Sequence, residues 1–295
     1  FFLLSAIPGN AIDRKIQKLP EKTKQVIIAK YGYDKPVMER YLITLNNYIV
    51  KGEFGESLVR AGDSVSSIVE KKMPVSARLG SQQLIVGVSL GIILGIVAAM
   101  NRGKAIDYII LVGVMILISA PTLVISLLLQ KYLAKGAIFN LPIIGWPSGA
   151  ELWFGGWRYT ILPTIAGAAG YLASYARLTK TSMLDSINQE YTLTARSKGL
   201  SEFAIVAKHV LRNSFIPIVT VLPVSVSGVI SGTLFIEKVF AIPGAGQYFI
   251  QATTDRDVPI LMGLTLIYAL VYLIAIFVSD ILYSVVDPRI KLVRK

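Results

Sequence analysis

The sequence contains no cysteine, so it can form neither a disulfide framework nor a thiolate metal site. It has one histidine, His209, and a lone imidazole cannot build a zinc or nickel centre. Charge is also scarce. Only 16% of residues are charged, against roughly a quarter in an ordinary soluble domain. No glycine-rich loop ends in Gly-Lys followed by Ser or Thr, and Gly244-Ala245-Gly246 lacks the following lysine. The phosphate cradle of a P-loop is therefore not expected. No nucleophile–base constellation points to an enzyme. Few ionisable residues interrupt the apolar runs, which argues against an ion-coupled carrier with buried carboxylates.

What is present is apolar. Hydrophobic residues make up 54% of the chain and mean hydropathy is +0.61, values that predict an all-α, polytopic membrane protein. The net charge of +12 sits in loops between apolar runs, so no nucleic-acid surface is expected. Residues 1–8 read as the end of a first transmembrane helix that begins before Phe1. Residues 9–75 form a polar insert, with helices predicted from Glu21 to Lys30 and from Lys35 to Val50. Residues 76–295 form the transmembrane core. Its spans are expected at about 77–100, 106–133 with a kink at Pro121, 160–178, 215–236 and 260–283, making six with the first. Gly87, Gly91 and Gly95 recur every four residues and predict a face for close helix approach. Gly167, Gly170 and Gly228 read the same way. Trp146, Trp153 and Trp157 suit an interfacial belt. Arg177 is read as snorkelling from a helix end, and Asp280 as pairing with a nearby cation.

Residues 185–217 form a polar, basic island between apolar runs. They read as two short helices, one over about Ser186 to Ser197 that stops at Lys198-Gly199, and one N-capped by Ser201 with Glu202 behind it. Phe203, Val206, Ala207 and Val210 fall at i, i+3, i+4 and i+7, predicting one buried face. From these residues alone the pair is either an interfacial connector or an element that docks in a partner's groove. Tyr191 to Leu200, YTLTARSKGL, and Lys208 to Asn213, KHVLRN, resemble the EAA loop of ABC-importer permeases, in the form found in the dipeptide/oligopeptide/nickel permease family. Leu193 stands where the general consensus has Glu, Thr194 where it has Ala, and Arg212 where it has Pro. The stretches Gly52 to Ser57, Pro243 to Gly246, Arg256 to Pro259 and Asp287 to Arg289 resemble the same family.

That resemblance implies the type I ABC importer permease fold, with a coupling loop comprising Tyr191, Thr194, Ala195, Arg196, Lys198, Gly199, Leu200, Lys208, His209, Arg212 and Asn213. It implies an outer gate or binding-protein contact at Phe240, Pro243, Gly244 and Gly246. The two glycines and proline of that loop predict a fixed re-entrant turn. Implied partners are a second homologous permease in a heterodimer, two ATP-binding cassette subunits holding ATP and Mg, an extracytoplasmic peptide-binding protein and membrane lipid. No cofactor or metal is expected in this chain. Basic residues of the short loops gather at Arg102 and Lys104, at 180–212 and at 289–295. The positive-inside rule places these loops in the cytoplasm, and the resemblance implies a multi-pass protein of the bacterial inner membrane with the 9–75 insert facing outward. Peptides are the expected cargo. Nickel or a metal chelate is the alternative, and an ion-coupled secondary carrier or a membrane scaffold are the remaining classes.

Overall fold

A computed structural model describes residues 1, 2, 5, 20–60, 62–134, 141–147, 156–231 and 233–286. The proposed end of a first span, Trp153, Gly232, the side chain of Asp280 and the 287–295 tail fall wholly or largely outside them. The described chain is helical, with a single isolated β-bridge between Glu56 and Ser64. It divides into two compact units, Phe1–Val75 with Pro243–Leu270, and Ser76–Ile242 with Val271–Lys295.

In the first unit, α1 (Glu21–Tyr31) ends on Gly32 at φ +66°. Helix α2 (Val37–Asn46) continues through a π-helical turn, Asn47–Lys51, and stops on Gly52. Prolines at both N-caps lose nothing there, because the first helical N–H groups have no partner in any case. Helix α11 (Ala245–Asp255) and the first turns of α3 (Val65–Met100) and α12 (Val258–Val286) enclose a core of Val65, Ile68, Ala245, Ala252, Ile260 and Leu264. Asp257, fully buried, accepts hydrogen bonds from the Ser57 hydroxyl and from the Leu58 amide at 3.2 Å. This unit also holds a cavity of about 680 Å³. At its wall Arg40 stacks over Tyr33 at 4.5 Å, and burial pushes the Tyr48 phenol up to about 12.

In the second unit α3 packs on α6 (Trp157–Ile187) through the glycine stripe. A Cβ on Gly87 would lie 2.6 Å from the Ala168 carbonyl, one on Gly91 2.7 Å from that of Leu172, and one on Gly95 2.6 Å from that of Ala176. Gly167 meets the buried Gln83, whose amide donates to the Pro163 carbonyl at 3.1 Å. Gly170, by contrast, faces open space and Gly228 makes only an ordinary contact with Tyr171.

The 106–133 span is not kinked but broken. Helix α4 (Ala105–Ser119) and α5 (Thr122–Leu129, extended by the π-helical turn Gln130–Ala134) meet at 105°. Pro121 forces Ala120 into an extended conformation (φ −83°, ψ 124°), ending the helix before it. Helix α3 begins at Val65, earlier than expected, and α6 runs on to Ile187, past the expected end at Leu178. Arg177 is thus inside a helix, not at its end. By length and apolar composition three described stretches can cross a membrane, Val65–Met100, Glu202–Val226 and Val258–Val278, with bent α4–α5 a fourth if taken as one span. Helix α6 has the length, but its glycines, threonines, serines and tyrosines keep it outside that set.

Candidate functional site

The basic island folds differently from two free-standing short helices. Ser186 and Ile187 belong to the end of α6. The first separate helix is α7, Glu190–Ser197. The second, α8 (Glu202–Ile205), passes through a π-helical turn, Val206–Val210, directly into α9 (Leu211–Ser231). Only α7 therefore stands apart, joined at each end to a long helix.

Both joints are pinned. At the α6–α7 break the buried Thr192 hydroxyl lies 2.6 Å from the carbonyls of Ile187 and Gln189. At the α7–α8 corner Gly199 adopts φ +77°. Its amide donates to Arg196 O at 2.9 Å, and the Leu200 amide donates to Ala195 O at 3.3 Å. This paired closure of the last carbonyls needs a left-handed residue, which glycine supplies without a Cβ clash. Ser201 caps α8, accepting from the Ala204 amide at 3.3 Å. Across the corner Arg196 makes a two-pronged ion pair with Glu202, at 2.7 and 3.0 Å. The hydrogen-bonded Glu202 carboxylate holds the Arg196 guanidinium above its usual range.

Beneath the corner lies a buried cluster of Ala99, Met183, Ala195, Ile205, Val206 and Val210. The expected face is partly wrong. Val206 and Val210 are buried, but Phe203 is 76% exposed, Ala207 is exposed, and Ile205 takes the inward place. The π-helical turn adds a residue to the i→i+4 repeat, as the Leu211 amide bonding back to Val206 O records, and rotates the face away from a 3.6-residue register. Ser214, also buried, bonds the Ser182 carbonyl at 3.2 Å and the Ser186 hydroxyl at 3.1 Å, tying α9 to α6.

The structure brings the candidate coupling residues together at this tip, though not all at the surface. Tyr191, Thr194, Arg196, Lys198, Gly199 and Leu200 are exposed, as are Lys208, Arg212 and Asn213. Ala195 is buried, and His209 is half-buried. Leu193 and Phe203 add exposed apolar area beside them. Phe203 was not visible as a surface residue because periodicity assigned it inward. Thr192 and Ser214 carried no sequence signal, since a polar residue in a polar island looks solvated.

The second group is placed otherwise. Phe240 follows α10 (Leu234–Val239), is buried, and its carbonyl accepts from the Gly145 amide at 2.9 Å. Pro243 is half-buried, and Gly244 and Gly246 are buried. After Phe240 the chain turns at Ala241, which adopts φ +50°. Gly244, in an extended conformation (φ −90°, ψ 172°), caps α11.

A family model described as "Binding-protein-dependent transport system inner membrane component" matches residues 91–292. The dipeptide transport system permease protein of Bacillus subtilis (strain 168) is 36% identical over 296 residues, covering 100% of this chain and 92% of that protein. The dipeptide transport system permease protein of Lactococcus lactis subsp. cremoris (strain MG1363) is 36% identical over 295 residues, covering 99% and 92%. Among solved structures, a chain of the inward-facing MetNI methionine ABC transporter superposes with a TM-score of 0.58 at 15% identity, covering 75% of this chain and 97% of that one. The likeness establishes the all-α fold of type I ABC importer permeases.

Proposed function

Because the chain belongs to the family of binding-protein-dependent transport system inner membrane components, we propose that it forms half of the translocation path of an ATP-driven peptide importer. Cytoplasmic ATPase subunits, holding ATP and Mg, drive it through α7. The likeness to dipeptide permeases along the whole chain supports di- or oligopeptides as cargo, delivered by an extracytoplasmic binding protein to a path shared with a second permease.

The observation that carries the coupling reading is the pinned tip. Helix α7 and the corner after it offer a partner an exposed surface that mixes apolar Leu193 of α7, Leu200 of the corner and Phe203 of α8 with cationic Lys198. Such a surface suits insertion of a short helix into a groove. Neither joint contains a flexible linker, so displacement of α7 reaches α6 and α9 as a rigid-body motion. In this mechanism closure of the ATPase dimer carries α7 with it, α6 and α9 re-tilt, and the path opens outward to receive peptide. Hydrolysis returns it. The charge of the short loops supports a cytoplasmic α7.

The test is uptake of a labelled dipeptide by proteoliposomes holding the full complex and its binding protein. Uptake should require ATP inside the ATPase-facing compartment and survive collapse of ion gradients. Accumulation driven by an ion gradient without ATP would overturn the reading, as would steady ATP turnover by the purified chain alone.

A further inference from the structure

A groove of about 570 Å³ runs between α4 and α6 in the second unit. Its floor is apolar, formed by Val114 of α4 against Ala176 of α6, with Ile110 beside them, and Met115 and Ile118 continue its wall. Polar residues gather at one end. There Lys180 of α6 pairs with the buried Asp107 of α4 at 2.5 Å, which fixes the two helices at a common level. Arg102 lies at the mouth, in the turn that Gly103 closes at φ +77° and that the Asp107 carboxylate holds through the Gly103 amide at 3.1 Å. Asp185 also lines this end.

Arg177 is the informative residue. Helices α4 and α6 are antiparallel here, since Val114 packs on Ala173 and Ala176 while Asp107 pairs with Lys180. Arg177 therefore sits about 4.5 Å farther along the groove than Lys180, toward its apolar part. It is exposed, as is Arg102, and neither guanidinium makes a salt bridge among the described residues, although Arg102 also acts on the Asp107 carboxylate. Three cations face two carboxylates, and Lys180 is already neutralised by Asp107. An exposed guanidinium beside an apolar groove is matched by an anion that brings its own apolar body. A soluble anion satisfies the charge and leaves Met115 and Ile118 uncovered.

We propose that this groove is a binding site for an anionic phospholipid, its phosphate between Arg102 and Arg177 and one acyl chain along Val114, Met115 and Ile118. The site is independent of the peptide reading and of α7. The full complex is purified from a defined mixture of phosphatidylglycerol and phosphatidylcholine, and the retained lipids are quantified by mass spectrometry. Arg177→Gln and Arg102→Gln should each lower the ratio of retained phosphatidylglycerol to phosphatidylcholine by about fivefold, the worth of one cation near an anionic surface. Arg177→Lys should keep most of the ratio, and Lys131→Gln, an exposed cation elsewhere, should leave it unchanged. An unaltered ratio in both glutamine variants overturns the proposal. Equal loss of both lipids also overturns it, because the groove is then a plain apolar surface. So does loss of the second permease from the complex at a constant lipid ratio, which makes the groove a subunit interface. Arg102→Gln, in an exposed turn, keeps the test open if Arg177→Gln fails to assemble.

Discussion

Substituting Gly199 isolates the conformational demand of the α7–α8 corner from steric effects. A Cβ built there has nothing within 4 Å, while φ is +77°. The cost of a side chain is therefore one of backbone conformation, about 1–2 kcal/mol for an unbranched residue. It is greater for a β-branched one, and smallest for asparagine, which tolerates the left-handed region. A penalty of about 1–2 kcal/mol shifts the ratio of closed to opened corners by about 5–30-fold. That is too little to unfold a helical membrane core, but enough to fray the tip from which α8 starts. Peptide uptake is expected to fall in the order Gly, Asn, Ala, Val at near-constant membrane abundance. Gly62, in the insert, has φ +91° and is equally open, so Gly62→Val carries a comparable local cost away from the corner. The assay is uptake in cells, with immunoblots of membranes and co-purification of the ATPase subunits. Wild-type uptake in Gly199→Val would refute coupling through the corner, as would an equal loss in Gly62→Val.

Arg196→Ala removes the ion pair that spans the same corner. It should weaken ATPase–transport coupling at low ionic strength, with the difference from wild type vanishing near 1 M salt, where screening acts within about 3 Å. Gly91→Ala places a Cβ 2.7 Å from the Leu172 carbonyl and 2.9 Å from Tyr175 Cβ. Such overpacking should cost about 1–3 kcal/mol, read as a lower unfolding temperature of the purified complex, whereas Gly170→Ala, at an open position, should be near neutral. Asp257→Ala orphans the Ser57 hydroxyl and Leu58 amide, a loss of about 1–3 kcal/mol. Limited proteolysis should then cut the insert faster, with ATPase assembly unchanged. Since the chain has no cysteine, Asp63→Cys on spheroplasts should react with an impermeant thiol reagent and Ser201→Cys only after lysis. The reverse pattern would invert the orientation.

Features set by neighbouring residues were legible in the sequence. Gly199 as helix terminator, Ser201 as cap and Gly87, Gly91 and Gly95 as a contact face all depend on chemistry within a few positions. Features set by register or by distant partners were not. Phe203 was assigned inward because nothing in the sequence marks the π-helical turn that follows it. Pro121 announced a disruption, but the 105° angle depends on what α4 and α5 each pack against. The Asp107–Lys180 pair and the Ser57–Asp257 bond, the latter 200 positions apart, joined residues whose local surroundings gave no sign of a distant partner. The left-handed residue of the turn before α11 is Ala241, not one of the glycines, and an alanine carries no such mark in a sequence.

The glycine stripe also constrains how the protein can move. Gly87, Gly91 and Gly95 each face a carbonyl of α6, so the two helices mesh like a rack with a pitch of four residues, about 6 Å. Any smaller slide would drive a Cβ-bearing neighbour into the opposing backbone. Helices α3 and α6 are thereby indexed to one another. They can pivot about the line of contact but cannot creep along it. Spin labels on residues 76–100 of α3 and on α6 should keep one distance through the ATPase cycle, while distances across the Ala120-Pro121 break change. The conformational freedom of the cycle would then lie at the bend, away from the glycine contact.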